Sequence, residues 1–273
     1  MSRTCPVAIA LTMLIACAVH AQAPEAPEGP EAPPAPHTPE ASPTRRGPSG
    51  VSPLRGYVSM NGAYQLASGD FASGASTRVH AEEGRFDTTY ALPRGPAFDV
   101  AGGAVLWGRL AIGAGLSRFS VATPGALTAR VPHPFFFNRH RTIGGEVAGL
   151  TRTEQAVHVQ VRGLFPAGER LLVMVFGGPS FFQVTQGLVA DYSYTDGYPY
   201  DEASFRSAIT GSASVSKTGV NLGADVAFFF TRQLGAGGMI RYAGATVSLP
   251  AVGGATEVHA GGANIGGGLR LRF

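Results

Sequence analysis

The chain has 273 residues, of which 44% are hydrophobic and 14% charged, and its 38 glycines are about twice the usual share. Its 21 basic residues, all arginine but Lys217, leave a dispersed net charge of +3, which argues against a nucleic-acid partner. Both cysteines, Cys5 and Cys17, lie in the first 17 residues, so disulfides, thiol catalysis and Cys-ligated zinc are not expected in the folded part.

Residues 1–21 read as a secretory signal peptide: Arg3 in a short n-region, an apolar stretch from Pro6 to Cys17, and Val19-His20-Ala21 as the small-residue cleavage site. The apolar stretch is too short to span a bilayer as a helix. Leu14-Ile15-Ala16-Cys17 also resembles a bacterial lipobox, which leaves acylation of Cys17 open. Residues 22–53 hold 10 of the 20 prolines in Ala-Pro-Glu units with no apolar period, the composition of a disordered, extended spacer. A folded domain is expected over 54–273.

From there on no helical period emerges, and apolar residues alternate with period two. Eight strands are predicted, over 54–66, 97–107, 110–122, 154–165, 171–186, 218–230, 234–249 and 258–273. In the fourth, Val157, Val159, Val161 and Phe165 oppose His158, Gln160 and Arg162. The strand at 171–186 is apolar at every position from Leu171 to Phe176 and contains Pro179, so a bulge is expected there. Short connections at 108–109, 166–169 and 231–233 alternate with connections of about 30 residues at 67–96, 123–153 and 187–217. Compact soluble domains rarely carry three structureless loops of that length. Transmembrane barrels do, with short periplasmic turns and long outer loops.

The alternation by itself fits either a transmembrane barrel with its apolar face outward or a soluble lipocalin-type barrel with that face inward. Arginine facing lipid at mid-bilayer costs about 2–4 kcal/mol, so in the membrane reading Arg55, Asp99, His158, Arg162, Asp225, Arg241 and Arg270 must point into the lumen. An eight-stranded barrel is just wide enough for its side chains to fill, which predicts a plugged interior with the acids paired to arginines. Trp107, Tyr57, Tyr64, Phe165, Phe230, Tyr242 and Phe273 lie toward strand ends, as interfacial girdles would.

The chain ends Leu269-Arg270-Leu271-Arg272-Phe273, with apolar side chains at the last residue and at two and four before it. This resembles the C-terminal signal that the barrel assembly machinery reads in bacterial outer-membrane proteins, here Leu269, Leu271 and Phe273. With the leader, eight strands and loop asymmetry, residues 54–273 resemble the eight-stranded barrel of OmpA-type and opacity-type proteins. The resemblance implies an antiparallel up-and-down barrel in the outer membrane with the spacer in the periplasm.

Three constellations stand out. Arg130, Phe135, Phe136, Phe137, Arg139 and Arg141 cluster in the second long connection, where aromatic rings resting on the outer leaflet would bring guanidinium groups to lipopolysaccharide phosphates. Alternatively the Phe triplet packs that loop onto the rim. Residues 191–202 gather four acids and four tyrosines that either close against this basic loop, hold Ca²⁺ or remain solvated. Glu257 and His259 form an acid–His pair with no third catalytic partner. No cofactor or metal site is expected. The reading is a non-enzymatic envelope protein, with a lipid-A-modifying barrel enzyme or a secreted lipocalin-like carrier as its rivals.

Overall fold

The computed structural model describes residues 55–66, 69–92 and 94–273; the leader and the whole of the Pro-rich spacer lie outside the described residues. The described chain is all β. Its strands are β1 (Gly56–Gln65), β2 (Phe71–Val79), β3 (Glu82–Tyr90), β4 (Gly95–Trp107), β5 (Leu110–Pro132), β6 (His140–Ala167), β7 (Leu171–Gly197), β8 (Glu202–Phe229), β9 (Leu234–Ala251) and β10 (Gly254–Arg272). Eight of them, β1 and β4 to β10, close into an antiparallel up-and-down barrel in which β10 pairs with β1. The ends of the chain's ring and the short β4–β5, β6–β7 and β8–β9 turns share one rim. Gly108 and Gly168 take positive φ in two of these turns, and in the third the Thr231 hydroxyl accepts the N–H groups of Gln233 and Leu234.

Period-two alternation turns one face of each strand outward. Near the short-turn rim that face is apolar: Met60 on β1, Ile112 and Leu116 on β5, Val157, Val159 and Val161 on β6, Leu222 and Val226 on β8, Leu269 and Leu271 on β10. Val159 is 39% exposed while its neighbour Gln160 is 1% exposed. The apolar band covers about 10 residues per strand, what a tilted strand needs to cross a bilayer. Trp107, Phe165, Phe230 and Phe273 ring one edge of the band, and Tyr64, Phe98, Phe181 and Tyr242 the other. Tyr57, expected in a girdle, is buried inside instead, because it shares the parity of Ser59 and Asn61. Its hydroxyl lies against the backbone at Gly103 and Gly113, where a side chain on either residue would collide with it.

Beyond the band the polarity of the two faces inverts. The strands continue, but Thr151, Thr153 and Gln155 now point outward, while Leu127, Val131, Ile143, Leu150, Val184, Val247, Leu249 and Val258 fill an apolar core. The segments expected as long loops are therefore largely strand. Residues 123–153 are the outer halves of β5 and β6 with a turn at 133–139, and 187–217 are those of β7 and β8. Within the first, 67–96, residues 71–90 form the β2–β3 hairpin, which is not among the eight strands of the ring. β3 takes over from β4 as the partner of β5, pairing Arg85–Tyr90 with Gly125–Arg130, and Phe71, Phe86 and Tyr90 enter the core.

No bulge occurs at Pro179. The β6–β7 register is the same at His158↔Ser180 and at Val161↔Gly177, with the ladder interrupted between them. The Asn221 amide on β8 donates to the carbonyls of Gly178 (2.9 Å) and Pro179 (3.3 Å) beside the gap. The side chain thus satisfies two carbonyls beside the interruption and does not replace the N–H that proline lacks.

Because the outward face meets hydrocarbon in one tier and water in the other, one substitution has opposite consequences. Val226→Arg is expected to lower stability in lipid vesicles by about 2–4 kcal/mol, and Thr151→Arg to change it by less than about 0.5 kcal/mol. Equilibrium urea unfolding from vesicles measures both.

Candidate functional site in the barrel interior and at the head tip

Two places gather chemistry. In the membrane tier, inward parity brings charges from five strands together. Arg241 on β9 pairs with Asp99 on β4 at 2.5 Å, and Asn61 donates to the same carboxylate. Arg270 on β10 grips Asp225 on β8 through two bonds of 3.0 and 2.6 Å and also donates to the Asn61 side-chain oxygen at 2.7 Å. Arg162 donates to Gln160, which donates to Asn221. Its guanidinium lies 4.6 Å from the Tyr57 ring centroid and 4.7 Å from that of Phe176, so two aromatic faces stand in for a carboxylate. His158 sits between the hydroxyls of Ser180 (2.7 Å) and Ser117 (2.9 Å).

Arg55, expected in this network, is exposed. It has inward parity but precedes β1, where the wall that would cover it has ended.

Below the network, Tyr57, Leu164, Leu172, Met174 and Phe229 form an apolar layer at the short-turn rim. Above it a second polar layer joins Arg152 to Glu154 at 2.5 Å, with Glu154 accepting the Gly261 N–H and Arg152 donating to the His259 carbonyl. Neither Arg152 nor Glu154 is among the residues that the sequence pattern assigns to the lumen. The parity of His158 and Gln160, carried back along β6, reaches Glu154 and Arg152 and would have found them. The cavity bordered by Gln65, Glu154, Arg241 and Asn264 holds about 10 Å³, room for roughly one water. The His158–serine contacts contain no acid, and His158 and Ser180 are fully buried.

The head tip is built from two neighbouring turns. Phe135, Phe136 and Phe137 are 68%, 56% and 77% exposed at the β5–β6 turn. Beneath them His133 is buried. Its Nδ1 accepts the Phe135 N–H, and its ring stacks obliquely on Phe136. The acidic turn between β7 and β8 closes on the basic one: Arg139 pairs with Asp201 at 2.9 Å, and the buried Arg141 pairs with Asp196 and donates to the Pro132 and Tyr200 carbonyls. Burial pushes the Tyr192 and Tyr194 hydroxyls above their ordinary pKa, with nearby acids adding to the effect.

Arg130 stands exposed on the outer half of β5. From the end of the band to this tip the strands travel on the order of 40 Å at usual rise and tilt. The Phe triplet therefore does not rest on the leaflet from which its strands emerge, nor on the barrel rim. Arg141 is consumed by its own head. Glu257 and His259 are both exposed on β10, and neither side chain has a hydrogen-bond partner among the described residues.

A closed eight-stranded barrel with an apolar outer band and a charged, ion-paired interior is the fold of a small outer-membrane β-barrel protein. No protein-family model and no curated protein matches the sequence. Among solved structures, the chain is similar to Neisserial surface protein A at 10% identity and TM-score 0.39, over 80% of this chain and 97% of that one. It is similar also to the outer-membrane protein OprG from Pseudomonas aeruginosa (8%, TM-score 0.44, 81% and 96%) and to the outer-membrane protease OmpT from Escherichia coli (8%, 0.39, 81% and 98%).

Asp225→Ala leaves Arg270 charged and buried, which is expected to remove about 3–5 kcal/mol. Replacing the pair by Asp225→Leu with Arg270→Met recovers most of that loss. Urea unfolding of both variants in detergent micelles, read by tryptophan fluorescence of Trp107, provides the comparison.

Proposed function

We propose that the protein is a non-enzymatic surface-interaction protein of the outer membrane, in which a plugged barrel anchors a stiff head outside the cell. The polarity inversion along β5 to β8 carries this reading. It gives a membrane anchor and a self-supporting head from the same strands, and leaves the exposed aromatics at the far end. In this arrangement Leu269, Leu271 and Phe273 form the strand end that the barrel assembly machinery reads. The spacer 22–53 extends into the periplasm, and the lipid and lipopolysaccharide of the membrane surround the barrel. The Phe135–Phe137 tip, with Arg139 beside it, faces partners beyond that layer.

The protein is expected in the outer-membrane fraction with heat-modifiable gel migration, without conductance steps in planar bilayers. Lipid A is expected to keep its mass spectrum when the gene is deleted; a changed spectrum means the chain is an enzyme, and stepwise currents mean that the lumen is open. Phe135→Ser, Phe136→Ser and Phe137→Ser together are expected to lower adherence of cells bearing the protein to polystyrene several-fold, with heat modifiability unchanged.

A further inference from the structure

β8 pairs with β7 along its whole length, from Phe228 to Glu202, but with β9 only from Val220 to Phe229. Past Gly219 the β9–β10 hairpin leaves, and among the described residues the far edge of β8 has no backbone partner from Ser207 to Thr218. Natural edges of this kind are blunted by proline, by charge, by bulges or by a cover, and the bulge of β8, at Arg206, lies at the end of the run rather than within it. Here Ser207-Ala208-Ile209-Thr210-Gly211-Ser212-Ala213-Ser214-Val215-Ser216 carries no charge and no proline. Ala208, Ala213 and Val215 face the head core, and the rest of the run is exposed, Ile209 among small and hydroxyl side chains. Arg206, set off by a register shift, and Lys217 bracket it. Both are exposed, and neither forms an ion pair among the described residues.

At the membrane end of the edge, Phe181, Phe182, Ser216, Lys217 and Thr218 border an open groove of about 370 Å³, within the size range of side-chain and ligand sites. An unpaired strand edge specifies its ligand class. Alternating N–H and C=O groups are satisfied by another extended polypeptide, and flanking pockets and charges set which one.

We propose that the β8 edge captures an extended peptide segment of a partner protein, about ten uncharged residues long with an acidic residue at each end. The added strand completes the sheet along Ser207–Ser216, its carboxylates meet Arg206 and Lys217 roughly 36 Å apart, and a side chain near the Lys217 end enters the groove. A second copy in the same membrane is a poor occupant. A twofold axis along the membrane normal sets identical residues level with one another, N–H against N–H. This proposal rests on reading the head as an interaction scaffold and names the partner class that one of its edges takes.

The test uses the full-length protein in lipid nanodiscs and a labelled synthetic peptide, Asp-(Thr-Val)₅-Asp. Control peptides carry Lys at both ends or Pro at three internal positions. Expected are saturable binding of the acidic peptide, at least tenfold weaker binding of both controls and of the acidic peptide to the R206E/K217E variant, and slowed amide exchange within 207–218. Equal binding of the three peptides, no binding, or protection elsewhere overturns the proposal. Protection of 207–218 without peptide, together with dimers by sedimentation, also overturns it in favour of self-pairing. Heat modifiability and absence of conductance in the same samples report on the scaffold reading separately, since neither involves the edge.

Discussion

A strand has two faces and one backbone, and in this protein the medium around it changes from hydrocarbon to water partway along. The rest of the structure follows from that change. Where lipid surrounds the barrel, the face that must be apolar is the outer one, and the enclosed volume receives whatever polar side chains the other parity supplies. Where water surrounds it, the same inward face supplies Leu127, Val131 and Leu150, joined by Ile143 once a register shift near Gly149 has reset the parity of β6, to an interior that hydrophobic burial can stabilise. Backbone pairing runs through both tiers, so the crossover needs no hinge. β6 changes from Val157 outward to Gln155 outward within one repeat of the pleat.

The interior of the membrane tier is the expensive consequence. Removing guanidinium and carboxylate groups from water costs several kcal/mol per ion unless each finds partners. Arg241–Asp99 and Arg270–Asp225 meet that demand with ion pairs, and Arg162 with ring faces and an amide oxygen. The apolar layer around Leu164 and Met174 below and, beyond the Arg152–Glu154 layer, the head core above enclose these charges, leave room for about one water beside Arg241, and strengthen their mutual attraction.

What the sequence showed and what it hid divide along the same physical line. The band strands were legible because an outward row such as Val157, Val159 and Val161 opposite His158, Gln160 and Arg162 has no other economical reading. The eight-strand count and the shared rim of the short turns followed. The head was not legible, because its buried apolar residues lie on the inward face whereas those of the band lie on the outward one. In 207–217 the rows become mostly Ser, Thr, Ala and Gly, whose hydropathy contrast is weak although the strand pairs with β7 throughout. Arg55 and Tyr57 share a parity, yet only Tyr57 lies where wall and partners enclose it, since parity says which way a side chain points and not whether the barrel still surrounds it. The Arg139–Asp201 and Arg141–Asp196 pairs join turns separated by some 60 residues, and no local pattern announces them.

A structured head also changes what binding at its surface demands. A loop of 30 mobile residues must be ordered by its partner, at about 1–2 kcal/mol per backbone residue fixed. Here that ordering is already accomplished by the core and by the ladder from Gly197↔Glu202 to Leu171↔Phe228. The tip is held in addition by the His133 ring and by Arg141, which ties β6 to the neighbouring turn. A partner meeting Phe135–Phe137 or the β8 edge therefore encounters groups held in place beforehand, and more of the contact free energy remains as affinity.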